Sequence, residues 1–282
     1  MRSTIGSLIA AVAGQGGLVI SGVFAARLLG PKDRGYLALV MLIPLALTYA
    51  GSLGLPLSAT YYIARRRGAA AAIVRRLRPA LVVQSLVLVA LQAVAVALLL
   101  PSSRLAAGLI TLVFIPAVLS QQYALGILQG RQRFAAFNIV RVVPVFLYAF
   151  GVAVLYAIDY ADVAAVAAAW TIAYVIAAVV ALVAALRHIE DDPQAEPPSV
   201  REMTRFGCRG LLGSTSPIEA FRIDQAFVGL ALSPTALGYY VVAYAFTNFP
   251  RLASQSIGMI AYPAVADVKD PRAARRLGTR FL

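Results

Sequence analysis

The chain has 282 residues, 61% of them hydrophobic and 13% charged, with a mean hydropathy of +0.80. A soluble domain carries about 25% charged residues, so this composition excludes the water-soluble globular classes and makes a lipid bilayer the solvent. The net charge of +13 would suit nucleic acid or anionic lipid, and only the placement of the basic residues separates the two.

A hydrocarbon core about 30 Å thick takes roughly 20 apolar residues per helical span. Eight such runs are predicted in chain order: 5–26, 36–63, 79–100, 105–128, 139–158, 163–186, 206–232 and 238–264. They are rich in Ala, Val and Leu without sustained alternation, which argues against a β-barrel. Helices also satisfy their own backbone hydrogen bonds, as hydrocarbon demands. The expected fold class is therefore an all-α polytopic membrane protein of about eight transmembrane helices. The first run exceeds the 7 to 15 apolar residues of a signal peptide and is expected to stay as a helix.

The most polar stretch, RHIEDDPQAEPPSVREMTR at 187–205, holds three prolines. Proline fixes φ and removes a donor, so helix six cannot run on into helix seven. This divides the chain into a six-helix lobe (1–187), a cytoplasmic linker (188–205) and the opening two helices of a second lobe (206–282). Sequence similarity supports the division: LLGPKDRGYLALV (28–40) and ALSPTALGYYVVA (231–243) align at an offset of 203, pairing Leu29 with Leu232, Pro31 with Pro234, Gly35 with Gly238 and Tyr36 with Tyr239. Each copy is a turn between two apolar arms. An even number of spans before the linker gives both copies the same orientation, a parallel repeat of the kind built into transporter folds.

With the N-terminus in the cytoplasm, 17 of the 25 basic residues fall on the inner side, chiefly in 65–78, 131–133, 187–205 and 269–280. The outer connections hold Arg27, Lys32, Arg34 and Arg104. That asymmetry follows the positive-inside rule. The basic charge thus marks topology in a cytoplasmic (inner) membrane, and a nucleic-acid partner is not expected. Cys208 and His188 are the single cysteine and histidine, so neither a disulfide within the chain nor a His/Cys metal site is expected. No Ser/His/Asp constellation and no Gly-rich loop ending in GK[ST] occurs. The protein is read as a non-enzyme without a cofactor.

Three segments taken together, RLLGPKDRGYLALV (27–40), LQGRQRFAAFNIVR (128–141) and FRIDQAFVGLALSPTALGYYVVAYA (221–245), resemble the bacterial polysaccharide and oligosaccharide flippases of the multidrug/oligosaccharidyl-lipid/polysaccharide exporter superfamily. The likeness implies two lobes rocking about a central cavity. It implies as cargo an undecaprenyl-pyrophosphate-linked oligosaccharide carried from the inner to the outer leaflet, with membrane lipids around it and glycan polymerase and glycosyltransferase proteins as partners. Family members have twelve or more helices, so the chain reads as a C-terminally truncated version covering roughly the first two-thirds.

An ionisable group inside a span costs about 2.5 to 3.5 kcal/mol on insertion scales, so it calls for a partner or a watered cavity. Glu219, Arg222 and Asp224 fall in the seventh run, and Arg251 at matching depth in the eighth. Two readings stand. In one, the charges face the cavity, where Arg222 and Arg251 hold pyrophosphate or sugar through their bidentate forks and Asp224 or Glu219 couples to a proton or sodium gradient. In the other, Glu219 and Arg222, three apart on one helix face, form an ion pair that fixes helix seven against helix eight. Gln15, Gln121, Gln122, Asn138 and Arg141 are further cavity candidates, with interhelical hydrogen bonding and snorkelling as their plainer roles. A multidrug cation antiporter of the same superfamily and a non-transporting scaffold for glycan assembly are the rival functions. The antiporter would need acidic residues well inside helices one to six, and the sequence has none there.

Overall fold

The computed structural model describes residues 2–187, 189, 192, 196–214 and 221–247, and these are helical throughout their regular structure. α1 (Arg2–Gly51) is formally one helix but is broken at Gly30, whose φ of 71° only glycine adopts without strain. Pro31 follows, with no N–H to lose at the start of a new helix. The two arms fold back on each other. Leu18 and Gly22 of the first and Ala38 and Leu42 of the second line one cavity, whereas a straight helix would hold residues 18 and 42 about 36 Å apart. Here the predicted first two spans become a hairpin.

The predicted run 36–63 is itself interrupted. Residues 52–54 form a turn with Leu53 at φ 50° and Gly54 at φ 63°. Ser52 Oγ accepts from the Gly54 N–H at 3.3 Å, and α2 (Leu55–Arg65) begins with a proline in its first turn. α3 (Ala70–Leu99) is the third span. The fourth is composite: a 3₁₀ turn at Ser102–Arg104, α4 (Leu105–Ile110), a second 3₁₀ turn at Thr111–Val113 and α5 (Phe114–Gly130). Together they make a 29-residue segment long and apolar enough to cross a membrane. α6 (Phe134–Ala157) and α7 (Val163–Leu186) complete the lobe. Asp162 caps α7 by accepting from the Ala165 N–H at 3.1 Å. At the other end of α7, Arg133 donates to Ala184 O and Arg131 to Ala185 O, both at 2.9 Å, so orphan carbonyls gain cationic partners.

α8 (Val200–Ser214) starts inside the segment expected to be linker, because Ser199 Oγ caps it by accepting from the Glu202 N–H at 3.2 Å. The described residues before it lie on the α2–α3 turn and the start of α3: the Asp192 N–H donates to Gly68 O, Arg66 to Glu196 O and Arg76 to the carbonyls of Pro197 and Pro198. The expected seventh span is discontinuous. After α8 come α9 (Ile223–Phe227), a π turn at Val228–Leu232 and a helix α10 over 234–247.

Two clusters form the interior. One gathers both arms of α1 with α5, α6 and α7 around Phe114, which is fully buried and stacked on Trp170 at 3.8 Å between ring centroids. The other joins α2, the start of α3 and the ends of α5 and α7 to Met203 of α8. The outside is as apolar as the inside. Val83, Leu86 and Leu98 on α3, Phe150 on α6 and Val179 on α7 are all more than half exposed, a belt that only a lipid environment tolerates. Among the described residues, five helices are long and apolar enough to cross a membrane. With α1 folded into two arms, the six apolar segments of the first lobe are all present, and the protein is an all-α multi-pass membrane protein.

The ends of the bundle are distinct. Asp33 and Arg104 pair at one end, where Arg104 also lies over the ring of Tyr36. The α2–α3 turn with the start of α3, Arg131 and Arg133, and the described linker residues mark the other.

Candidate functional site

Three cavities open along the face of the first lobe that meets α9 and α10. The first, about 590 Å³, is lined by the second arm of α1 (Thr48, Tyr49, Ser52), by α2 (Thr60) and by Gln122 and Gln129 of α5. The second, about 280 Å³, lies between the α1 arms and carries Arg34, Tyr148, Trp170 and Tyr174. The third, about 140 Å³, is lined by Gln15, Arg34 and residues of α10. Arg222 belongs to all three.

Local backbone explains that position. Arg222 is the cap of α9 at φ 48° and ψ 47°, a left-handed conformation that is uncommon outside glycine and costs of order 1 to 3 kcal/mol. The break turns its guanidinium toward the cavities, where Nη1 donates to Gln225 Oε1 at 3.4 Å. The second cation is Arg34, which sits on the second arm four residues after the Gly30 kink. Its Nε is shut off from solvent and has no hydrogen-bond partner among the described residues. Arg34 and Arg222 line the second and third cavities together. The described carboxylates nearest the two arginines in sequence are engaged elsewhere: Tyr240 Oη donates to Asp224 Oδ2 at 2.7 Å, and Asp33 is paired with Arg104. A pair of like charges held at a cavity wall with an unused donor is an arrangement completed by an anion.

The residues predicted from sequence divide accordingly. Arg222 and Gln15 line cavities, as does Gln122. Asp224 is held by Tyr240, whose hydroxyl donates to it. Gln121 is buried in α5, where Nε2 donates to Val140 O at 3.1 Å, which is packing between α5 and α6. Asn138 lies beside Gly6, and Arg141 is exposed on α6. Neither is among the residues lining the three cavities. Glu219 and Arg251 lie outside the described residues. Arg34 escaped the sequence reading because it was counted with the outer connection. Its repeat-related position is Leu237, so the repeat gave no signal. The sign that was available is the GPKDRG turn itself, which leaves Arg34 inside the new helix rather than in a loop.

No curated protein matches the sequence. Among solved structures, a MOP superfamily transporter from Pyrococcus furiosus Vc1 matches 99% of this chain and 73% of its own with a TM-score of 0.57 at 15% identity, a likeness of fold. The family model for polysaccharide biosynthesis proteins matches residues 24–282. It spans the Gly30 kink and the second arm of α1, both arginines and the repeated turns, and on that match the chain belongs to the polysaccharide biosynthesis protein family.

Proposed function

We propose that the protein is a transporter of the flippase type, which carries a polyprenyl diphosphate-linked glycan across the cytoplasmic membrane by alternating access. The observation that carries this reading is the pairing of Arg34 and Arg222 at the junction of the cavities, two cations with no described carboxylate between them. A diphosphate supplies the missing counter-charge and accepts bidentate hydrogen bonds from both forks. The polar lining of the first cavity, with Thr48, Ser52, Thr60, Gln122 and Gln129, offers the donors and acceptors that sugar hydroxyls require. Family membership supports a glycan as cargo. Asp224, held by Tyr240 beside Arg222, is the carboxylate we assign to coupling with a proton or sodium gradient. On this reading the first lobe (1–187) and the segment from 206 onward form opposite walls of the path, with the N-terminus in the cytoplasm and the 188–205 linker on the same side.

Cation export is the less favoured function, because the cavity walls present arginines rather than carboxylates. The test is movement of a radiolabelled polyprenyl diphosphate disaccharide between leaflets of proteoliposomes, read by the access of an external glycosidase. Protein-dependent loss of the protected fraction supports the reading. Export of a lipophilic cation without movement of the disaccharide would replace it with the antiporter, and movement of neither substrate would favour a scaffold.

A further inference from the structure

The two copies of the repeated turn touch each other, and they touch reciprocally. A Cβ placed on Gly35 would fall well inside 3.0 Å of the carbonyl oxygen of Pro234, and one placed on Gly238 equally inside 3.0 Å of the carbonyl oxygen of Pro31. Gly35 and Gly238 are equivalent under the offset of 203, as are Pro31 and Pro234. Residue i of one copy meets residue j of the other, and residue j of the first meets residue i of the second. That is the signature of an isologous two-fold contact, here between two halves of one chain. The backbones meet with no side chain between them, and Leu37 and Leu237, both fully buried, pack in the same cluster just beyond.

The contact sits at the Asp33–Arg104 end of the bundle, opposite the described linker residues and the α2–α3 turn. The three cavities lie on the other side of it. Arg34, which lines two of them, is the neighbour of Gly35, so the contact closes one end of the arginine-bearing space. We propose that the Pro31/Gly35–Pro234/Gly238 crossing is the gate of this protein, a pseudo-symmetric clasp between the repeat turns that closes the outer end of the path and must part for cargo to leave. The assignment rests on the transport reading for its purpose but not for its geometry. Packed interfaces of this kind have discrete arrangements rather than a continuous range. A methyl group at either glycine cannot be housed in the closed arrangement, so it should drive the turns apart.

The test is a distance measurement. In a Cys208→Ser background, spin labels at Lys32→Cys and Tyr239→Cys, both exposed positions beside the crossing, report the separation of the turns in liposomes. The parent protein should give a short-distance population. Gly35→Ala and Gly238→Ala should each reduce that population about tenfold, a shift of the size a single steric bias can produce. The two together should do no more than either alone, because they break one contact. Gly16→Ala, where a Cβ has nothing within 4 Å, should leave the distribution unchanged. Persistence of the short distance in either glycine variant at normal membrane abundance would overturn the proposal, as would additivity of the two. Should the glycine variants fail to insert, a short bis-maleimide linker across the same two cysteines tests the clasp with both glycines intact. Linked protein should lose disaccharide movement, and linked protein that still moves it at the unlinked rate would overturn the gate. Distances that shift as expected, in a protein that moves no disaccharide in any form, would keep the clasp and refute the transport reading instead.

Discussion

Replacing Arg34 or Arg222 with alanine separates an anion site from an ordinary structural cation. A hydrogen bond to a charged group contributes about 1.5 to 3 kcal/mol net, so losing one of the two forks should weaken diphosphate binding roughly 10- to 150-fold, at 1.4 kcal/mol per factor of ten. The same substitutions should cost little stability, because two like charges share the cavity walls, Arg34 Nε has no hydrogen-bond partner among the described residues and Arg222 gives up only a long bond of 3.4 Å to Gln225. Buried partners of an ion pair behave oppositely, costing about 3 to 5 kcal/mol when one is removed. The assay pairs equilibrium binding of a radiolabelled polyprenyl diphosphate to detergent-purified protein with its melting temperature. Arg222→Lys should recover part of the affinity, since a point charge lacks the fork. Unchanged affinity in both alanine variants refutes the anion site. A fall in melting temperature for Arg222→Ala that is reversed by adding Glu219→Ala would restore the ion-pair reading of helix seven.

Phe114→Ala removes the fully buried ring stacked on Trp170 and should cost about 3 to 5 kcal/mol, seen as lower membrane abundance and melting temperature. A cysteine at exposed Lys32 should react with an impermeant maleimide in intact cells and one at exposed Arg66 should not; the reverse pattern would invert the topology. Asp33→Asn, which breaks the half-exposed pair with Arg104, should change stability by no more than about 1 kcal/mol, checked by thermal unfolding.

Composition and charge placement were enough to read a multi-pass helical protein and six apolar segments ahead of the linker, because bilayer thickness and backbone satisfaction leave few alternatives. The finer breaks were not legible. Hydropathy treats 36–63 and 206–232 as continuous, yet Gly54 and Arg222 at positive φ interrupt them; apolar character sets which residues lie in lipid, while local dihedrals set where a helix stops. The seventh run stood out in the sequence through Glu219, Arg222 and Asp224. The choice of Arg222 over Gln121 or Asn138 required the structure, since a polar side chain in a span can satisfy itself on a neighbouring carbonyl, as Gln121 does on Val140.

The repeat carries the most physical content for its length. As a sequence signal, four matches at an offset of 203 state only that two turns share proline and glycine spacing. In the fold those residues are where the two copies meet, so the same Pro-x-x-x-Gly pattern has to be kept twice for one contact to close. Arg34 lies next to Gly35 in the first copy, whereas Leu237 holds that place in the second and packs in the core. The clasp is symmetric and the charge beside it is not. Symmetry serves the closing of the backbone, which needs equal partners. The departure from symmetry puts a single guanidinium beside the clasp, on the wall of the two cavities that Arg222 lines as well.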